Sequence, residues 1–481
     1  MEGRIGELRH GILSVVDSFA QSVALLSLAL GVAFASSAAA GETGIAAPFA
    51  YLIAGVGSLC LASVIIRFTR RMASAGGLYT YISRGLNPSA GFLGGWLYGG
   101  GFAVGISFVL VIGSFFMQTA FTAHTSLHWG WYTWFFVMLA ALAAIALLDV
   151  KLSSRIQLVL AAVGVAAILL LSIVIAAKGG DHGFNFGPLN PANATSTNDL
   201  FLAVVLTFTG FIGFEAAAAF GEEAADPLRA IPKAILTAVI VAVVYYVFVT
   251  WMMGVGFANA GAWAKDPAAL DTLATRYVGN WLAVIIDFSV AASAFVAALA
   301  GTNLTSRTAY AMGREGGLPR AFAWTHPRFR TPWVGIVFSL VVTLLLGVFF
   351  AHHYDPITYF IWMATCATIG ILITYILIAV GGIAFFARDR TGWNPVFDLV
   401  VPAGAIAICG YTLYKSIHPT PAYTGIVKWA PWVALIWLAI GVVVDLWLTL
   451  TKPDRVRAFG TILGAGEGVP TAPEAPPVPT P

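Results

Sequence analysis

Twelve long apolar runs constrain this chain more than any other feature: 12–39, 45–66, 89–119, 130–149, 154–177, 199–221, 234–257, 278–304, 333–351, 357–386, 397–415 and 431–450. A helix needs about 20 mostly apolar residues to cross the hydrocarbon core of a bilayer. The expected fold is therefore an all-α integral membrane protein with twelve transmembrane helices. Of the 481 residues, 59% are hydrophobic and only 10% charged, against roughly 25% charged in soluble domains. The lipid bilayer is thus the first expected partner. A formal net charge of +3 gives no reason to expect nucleic acid. The first apolar run, Ile12 to Ala40, exceeds the h-region of about 7–15 residues of a cleaved signal, so it reads as a span. Cys60, Cys366 and Cys409 lie in apolar stretches without CxxC or Cys/His spacing and read as small hydrophobes.

Lys and Arg set the orientation, because cytoplasmic loops of membrane proteins retain them. With both termini inside, twenty of the 25 basic residues fall on inner segments, from Arg4 and Arg9 through Arg307 to Lys452, Arg455 and Arg457. The outer side keeps Lys178, Lys265, Arg276, Lys415 and Lys428. This alternation predicts a cytoplasmic N-terminus (1–11), a first five-helix unit (12–177) and a second (199–386). Two further helices (397–450) and a cytoplasmic tail (451–481) follow. The six prolines between Pro470 and Pro481 leave the end of that tail unable to form a packed element.

Spans one and six enter from opposite sides, so spans 1–5 and 6–10 have the polarity of inverted repeats. The first helix of each such repeat is often broken at mid-membrane, with half-helix ends facing a ligand. Span one carries Asp17, Gln21, Ser22, Ser27 and Gly31, which serve equally for helix packing or for ligand contact. Span six carries Phe208, Thr209, Gly210, Phe211, Gly213 and then Glu215. An ionisable residue inside a span marks a functional site by default. Glu215 is the candidate proton-coupling group; its alternative is a permanently protonated acid that ties neighbouring helices together. Asp287 in span eight is a second coupling candidate, or faces a wet outer vestibule. Phe208 and Phe211 are candidates to hold an ammonium group by cation–π attraction, and Trp96, Tyr98, Tyr359 and Trp362 are candidate lining residues. Asp17 and Asp445, near span ends, read as solvated. Trp129, Trp131, Trp134 and Trp429 read as interface anchors. Arg70, Arg71, Glu222, Glu223 and Arg307 form either an inner gate of ion pairs or a set of surface pairs. His124, His128, His352 and His353 lie on outer loops without ligand companions, so neither a metal site nor a cofactor is expected.

Three stretches carry a family resemblance. They are Arg70-Arg71-Met72-Ala73-Ser74-Ala75-Gly76-Gly77-Leu78-Tyr79-Thr80-Tyr81, then Gly213-Phe214-Glu215 with Glu222-Glu223, Asp226-Pro227 and Ile231-Pro232-Lys233, and Ser306 through Pro319. Their order and spacing resemble permeases of the amino acid–polyamine–organocation superfamily. The resemblance implies ten helices in two inverted five-helix repeats plus two peripheral helices, working by alternating access. It also implies an amine-bearing substrate between helices one and six. The substrate's amino group would meet carbonyls around Phe208 to Phe211, and a carboxylate would meet N–H groups where span one unwinds. The family's Gly-x-Gly break in helix one is replaced here by Ser27-Leu28-Ala29-Leu30-Gly31. Some proton-coupled relatives carry a lysine in helix five; here that position falls near Gly164.

Together these features predict a secondary transporter for an amino acid or related amine, working by proton symport or exchange, and not an enzyme. Substrate contacts are expected at Ser22, Ser27, Gly31, Phe208, Thr209, Gly210, Phe211 and Gly213, and coupling at Glu215 and Asp287. Protons are the expected coupling ion, with Na+ left open, and an oligomer is possible but not implied. A membrane receptor that binds the same ligand without moving it is the alternative.

Overall fold

The computed structural model describes residues 6–148, 150–181, 183–257, 259–266, 268–418 and 425–463. The Pro-rich stretch 464–481 and residues 1–5 of the N-terminal segment lie outside them. Among the described residues the fold is built of helices joined by turns, with an isolated parallel bridge between Leu13 and Ala224.

Among the described residues, ten segments are long and apolar enough to cross a membrane. The first, Val15–Thr69, would extend about 80 Å if straight, far more than one bilayer. It is divided into α1 (Val15–Leu26), α2 (Leu28–Thr43) and α3 (Ala47–Thr69). A short α4 (Leu78–Gly85) precedes α5 (Pro88–His124), which starts where Asn87 accepts from the Ala90 N–H and Pro88 occupies the first turn. The expected span 130–149 contracts to α6 (Trp131–Ala146), 16 residues and too short for the usual spanning measure.

Next come α7 (Val150–Lys178), α8 (Thr197–Phe208) and α9 (Pro227–Phe257). Two short helices, α10 (Ala260–Lys265) and α11 (Ala269–Tyr277), lead into α12 (Asn280–Arg314). The chain finishes with α13 (Trp333–Phe349), α14 (Pro356–Arg388), α15 (Val401–Ile417), α16 (Ala430–Thr451) and the one-turn α17 (Pro453–Arg457).

The core forms where α5 packs on α12 and α14, α3 on α9, and α12 on α7. Helix α1 sits inside this frame, against α9, α7 and α12. In contrast, α15 and α16 lean on the outside of α14, α3 and α5. Helix α16 leaves Val443 and Leu450 exposed, as a lipid-facing helix does.

Candidate functional site

Span one breaks at Ser27. Its backbone is left-handed (φ 51°, ψ 53°), and its N–H closes α1 on the Ala24 carbonyl at 3.2 Å. A non-glycine residue in this region costs roughly 1–2 kcal/mol, so tertiary contacts must hold it. The Ser27 hydroxyl supplies one, lying 3.1 Å from the Ser293 carbonyl and 3.0 Å from the Ser293 hydroxyl on α12. That side chain is then unavailable to cap α2, whose first turn has no side-chain cap. The carbonyl end of α1 and the N–H end of α2 therefore meet at one point, with opposite partial charges.

Span six breaks beside it. Helix α8 ends at Phe208, a single 3-10 turn covers Thr209–Phe211, and Ile212 is extended. Gly213 then takes φ 108°, and a Cβ there would come within 2.7 Å of the Leu25 side chain. Only glycine tolerates both the backbone angle and the approach of α1. After Glu215 the chain continues as a second 3-10 turn, Ala216–Phe220.

Tyr246 of α9 ties the two breaks together. Its buried hydroxyl lies 3.2 Å from the Leu26 carbonyl and 3.0 Å from the Gly210 carbonyl, so one proton serves both helix ends. Gly31 leaves room for this ring: a Cβ at that position would fall 2.5 Å from the Tyr246 hydroxyl.

Glu215 is fully buried directly after the second break. Tyr98 of α5 and Tyr375 of α14 each donate to its Oε1 at 2.8 Å, and the Gly213 N–H donates to Oε2 at 3.2 Å. Among the described residues no Lys or Arg forms an ion pair with it. Hydroxyls both donate and accept, so the two tyrosines can serve the carboxylate and, after rotation, the carboxylic acid. The site is chemically suited to hold and release a proton without a fixed countercharge.

Below the breaks, toward the end of α12, the bundle is closed by buried polar groups. Gln21 donates to Ser154 at 2.7 Å and Asn303 to Ser153 at 3.1 Å. The fully buried Arg307 holds Glu223, with Nη2 3.0 Å from Oε1, and its guanidinium stands 4.3 Å from the Phe220 ring centroid. Arg314 grips Glu222 with two nitrogens at 2.6 and 3.0 Å. The N-terminal strip joins this closure, as Ile12 and Leu13 donate to the Glu223 carbonyl. Of the five charges expected to cluster here, Arg307, Glu222 and Glu223 do. Arg71 instead pairs with Asp389, and Arg70 is exposed.

The structure brings Ser27, Gly31, Gly210, Gly213 and Glu215 to one locality. Ser22 lies in the same layer, its hydroxyl accepting from the Ala217 N–H at 3.1 Å. Thr209 turns back on the Leu206 carbonyl. Phe208 and Phe211 are buried in the packed core, Phe211 edge-on to Tyr246. Asp287 is not brought to Glu215. It sits near the start of α12, where His124 Nε2 lies 2.9 Å from its Oδ2.

The expectation that His124 lacks companions is therefore corrected: it faces both Asp287 and Asp271. Asp17 and Asp445 are buried rather than solvated, Asp17 closing a capping box with Ser14. Trp134 is likewise buried rather than a belt anchor, whereas Trp129 and Trp429 are exposed. Sequence reasoning missed Tyr246 and Tyr375 altogether, since a tyrosine in an apolar run looks like any other core aromatic.

With this geometry in place, known proteins give the class. A family model described as amino acid permease matches residues 13–444, and the chain belongs to that family, within the amino acid–polyamine–organocation superfamily. A branched-chain amino acid permease of Bacillus subtilis is 25% identical over 413 residues, covering 82% of this chain and 83% of its own. A low-affinity putrescine importer of Escherichia coli is 25% identical over 416 residues, covering 82% and 84%. An uncharacterized transporter of Mycobacterium tuberculosis is 30% identical over 307 residues, covering 61% and 64%.

Proposed function

We propose that this protein is a secondary active transporter that carries an amino acid or a simple amine by alternating access, coupled to protons in symport or exchange. The meeting of the two helix breaks at Ser27 and Thr209–Gly213, bridged by Tyr246, carries this reading. The carbonyl ends of α1 and α8 match an ammonium group, and the uncapped start of α2 matches a carboxylate. Substrate contact is assigned to the backbone around Ser27, Gly31 and Phe208–Gly213, and proton exchange to Glu215. The relatives named as permeases for branched-chain amino acids and for putrescine support an amine-bearing substrate.

In this reading the chain crosses the cytoplasmic membrane twelve times with both termini inside. Val15–Thr69 makes two crossings and α6 makes a short one. Residues 12–177 and 199–386 are inverted repeats, each opened by a broken helix, and α15 and α16 are peripheral. The Arg307–Glu223 and Arg314–Glu222 pairs then close the cytoplasmic path.

Uptake into proteoliposomes tests the proposal with a panel of leucine, isoleucine, valine, alanine and putrescine, under imposed pH or sodium gradients. At least one substrate is expected to accumulate under a proton gradient. Absence of uptake and exchange under every gradient ends the transport reading. Accumulation that follows sodium and ignores pH ends the proton assignment.

A further inference from the structure

We propose that His124, Asp271 and Asp287 form a binding site for a divalent cation of the zinc class, at the end of the bundle opposite the Arg307–Glu223 closure. The three come from separate helices: His124 ends α5, Asp271 lies in the first turn of α11, and Asp287 lies near the start of α12. One ligand atom from each falls within 4.8 Å of the other two, and all three residues are half-buried. They are thus reachable from solvent yet held by packed helices. Zinc–ligand bonds are about 2.0–2.2 Å long, so a cation seated among the three needs only a small inward movement of each side chain.

Charge favours such an occupant. Two carboxylates face a single imidazole, and Asp266 adds a further negative charge beside Asp271. The nearby Arg276 is engaged by Asp181, so it does not neutralise them. One imidazole with two carboxylates is a borderline ligand set, suited to zinc rather than to calcium or magnesium, which take oxygen alone.

Bound there, the cation fastens α11 to α5 and α12. Helix α11 also packs on α7 and α2, so the fastening reaches the second half of the broken span one. On the transport reading above, this locks the outer end in one arrangement and slows the cycle. Binding itself does not depend on that reading.

The test is titration of purified full-length protein with Zn2+ by calorimetry, and with Co2+ followed by its visible absorption. One cation per chain is expected. Asp271→Asn and His124→Ala should each weaken binding by about tenfold or more, while His128→Ala should leave it unchanged. Gel filtration and the metal-free melting temperature verify that each variant is folded. No binding by the wild type, or equal binding by folded Asp271→Asn, overturns the site and leaves the His124–Asp287 pair as a plain hydrogen bond. Zn2+ added outside should slow uptake by wild-type proteoliposomes and not by Asp271→Asn. Saturated binding with unaltered uptake overturns the locking role while the site stands, and a protein that binds Zn2+ but transports nothing refutes the transport reading alone.

Discussion

Tyr375 of α14 donates its hydroxyl proton to Glu215 Oε1 at 2.8 Å, across 160 residues of sequence. Tyr98 reaches the same oxygen from α5, so the carboxyl joins α5 and α14 to the broken span six. If it exchanges protons during transport, Glu215→Gln abolishes the pH dependence of uptake while exchange of bound substrate persists. Tyr98→Phe and Tyr375→Phe each keep a pH dependence but move its midpoint. Uptake measured from pH 5 to 8 decides this; unchanged profiles in all three variants remove Glu215 from coupling.

Tyr246→Phe deletes one buried hydroxyl, a loss of about 1 kcal/mol in stability. Its effect on transport should exceed that small cost, because the two carbonyl ends that it aligns become independent. A rise in KM larger than the fall in the maximal rate is the expected pattern. Gly31→Ala, which pushes a methyl group against the same hydroxyl, should give the same pattern by displacing the ring.

Gly213→Ala meets two obstacles, a left-handed backbone and the Leu25 side chain 2.7 Å from the new methyl group. Backbone strain of this kind costs about 1–3 kcal/mol, and the clash adds to it. Combining it with Leu25→Ala, which removes the Leu25 Cγ but keeps its Cβ at 3.0 Å, should recover only part of the loss. Melting temperatures of the two single variants and the double variant separate the terms; full recovery in the double variant would show that the backbone angle is harmless.

Arg307→Ala strands the Glu223 carboxylate in a buried site, a change that costs about 3–5 kcal/mol in comparable pairs. The double replacement Arg307→Met with Glu223→Gln should be milder, since neither partner is left charged. Both should open the closure toward the N-terminal strip. A cysteine placed at Gln21 and probed with a membrane-impermeant thiol reagent should react faster in either variant than in an otherwise wild-type background.

Much of this architecture was legible because the membrane demands long apolar runs, and because a carboxyl and two glycines stand out within one. The span-six break was readable from Gly210 and Gly213. The span-one break was not, because Ser27 achieves with a tertiary hydrogen bond what glycine would achieve alone, and its partner Ser293 lies 266 residues away. Tyr246 was invisible for a similar reason: its partners are backbone carbonyls, which have no sequence signature. The companions of His124 were hidden by topology, as Asp271 belongs to a short helix outside the spans. The shortness of α6 also escaped, since hydropathy reports where a run is apolar and not where its helix ends.

A break built on glycine would swing freely, whereas Ser27 behaves as a catch. Its hydroxyl rests on Ser293, and its backbone stores strain that is released if the residue relaxes into a helical angle. A tilt of α1 large enough to carry Ser27 away from Ser293 on α12 would slip that catch and free the residue to take a helical angle. Motion at this joint would then proceed in clicks between discrete settings rather than as a continuous bend, and a single serine would set how hard the mechanism must be pushed.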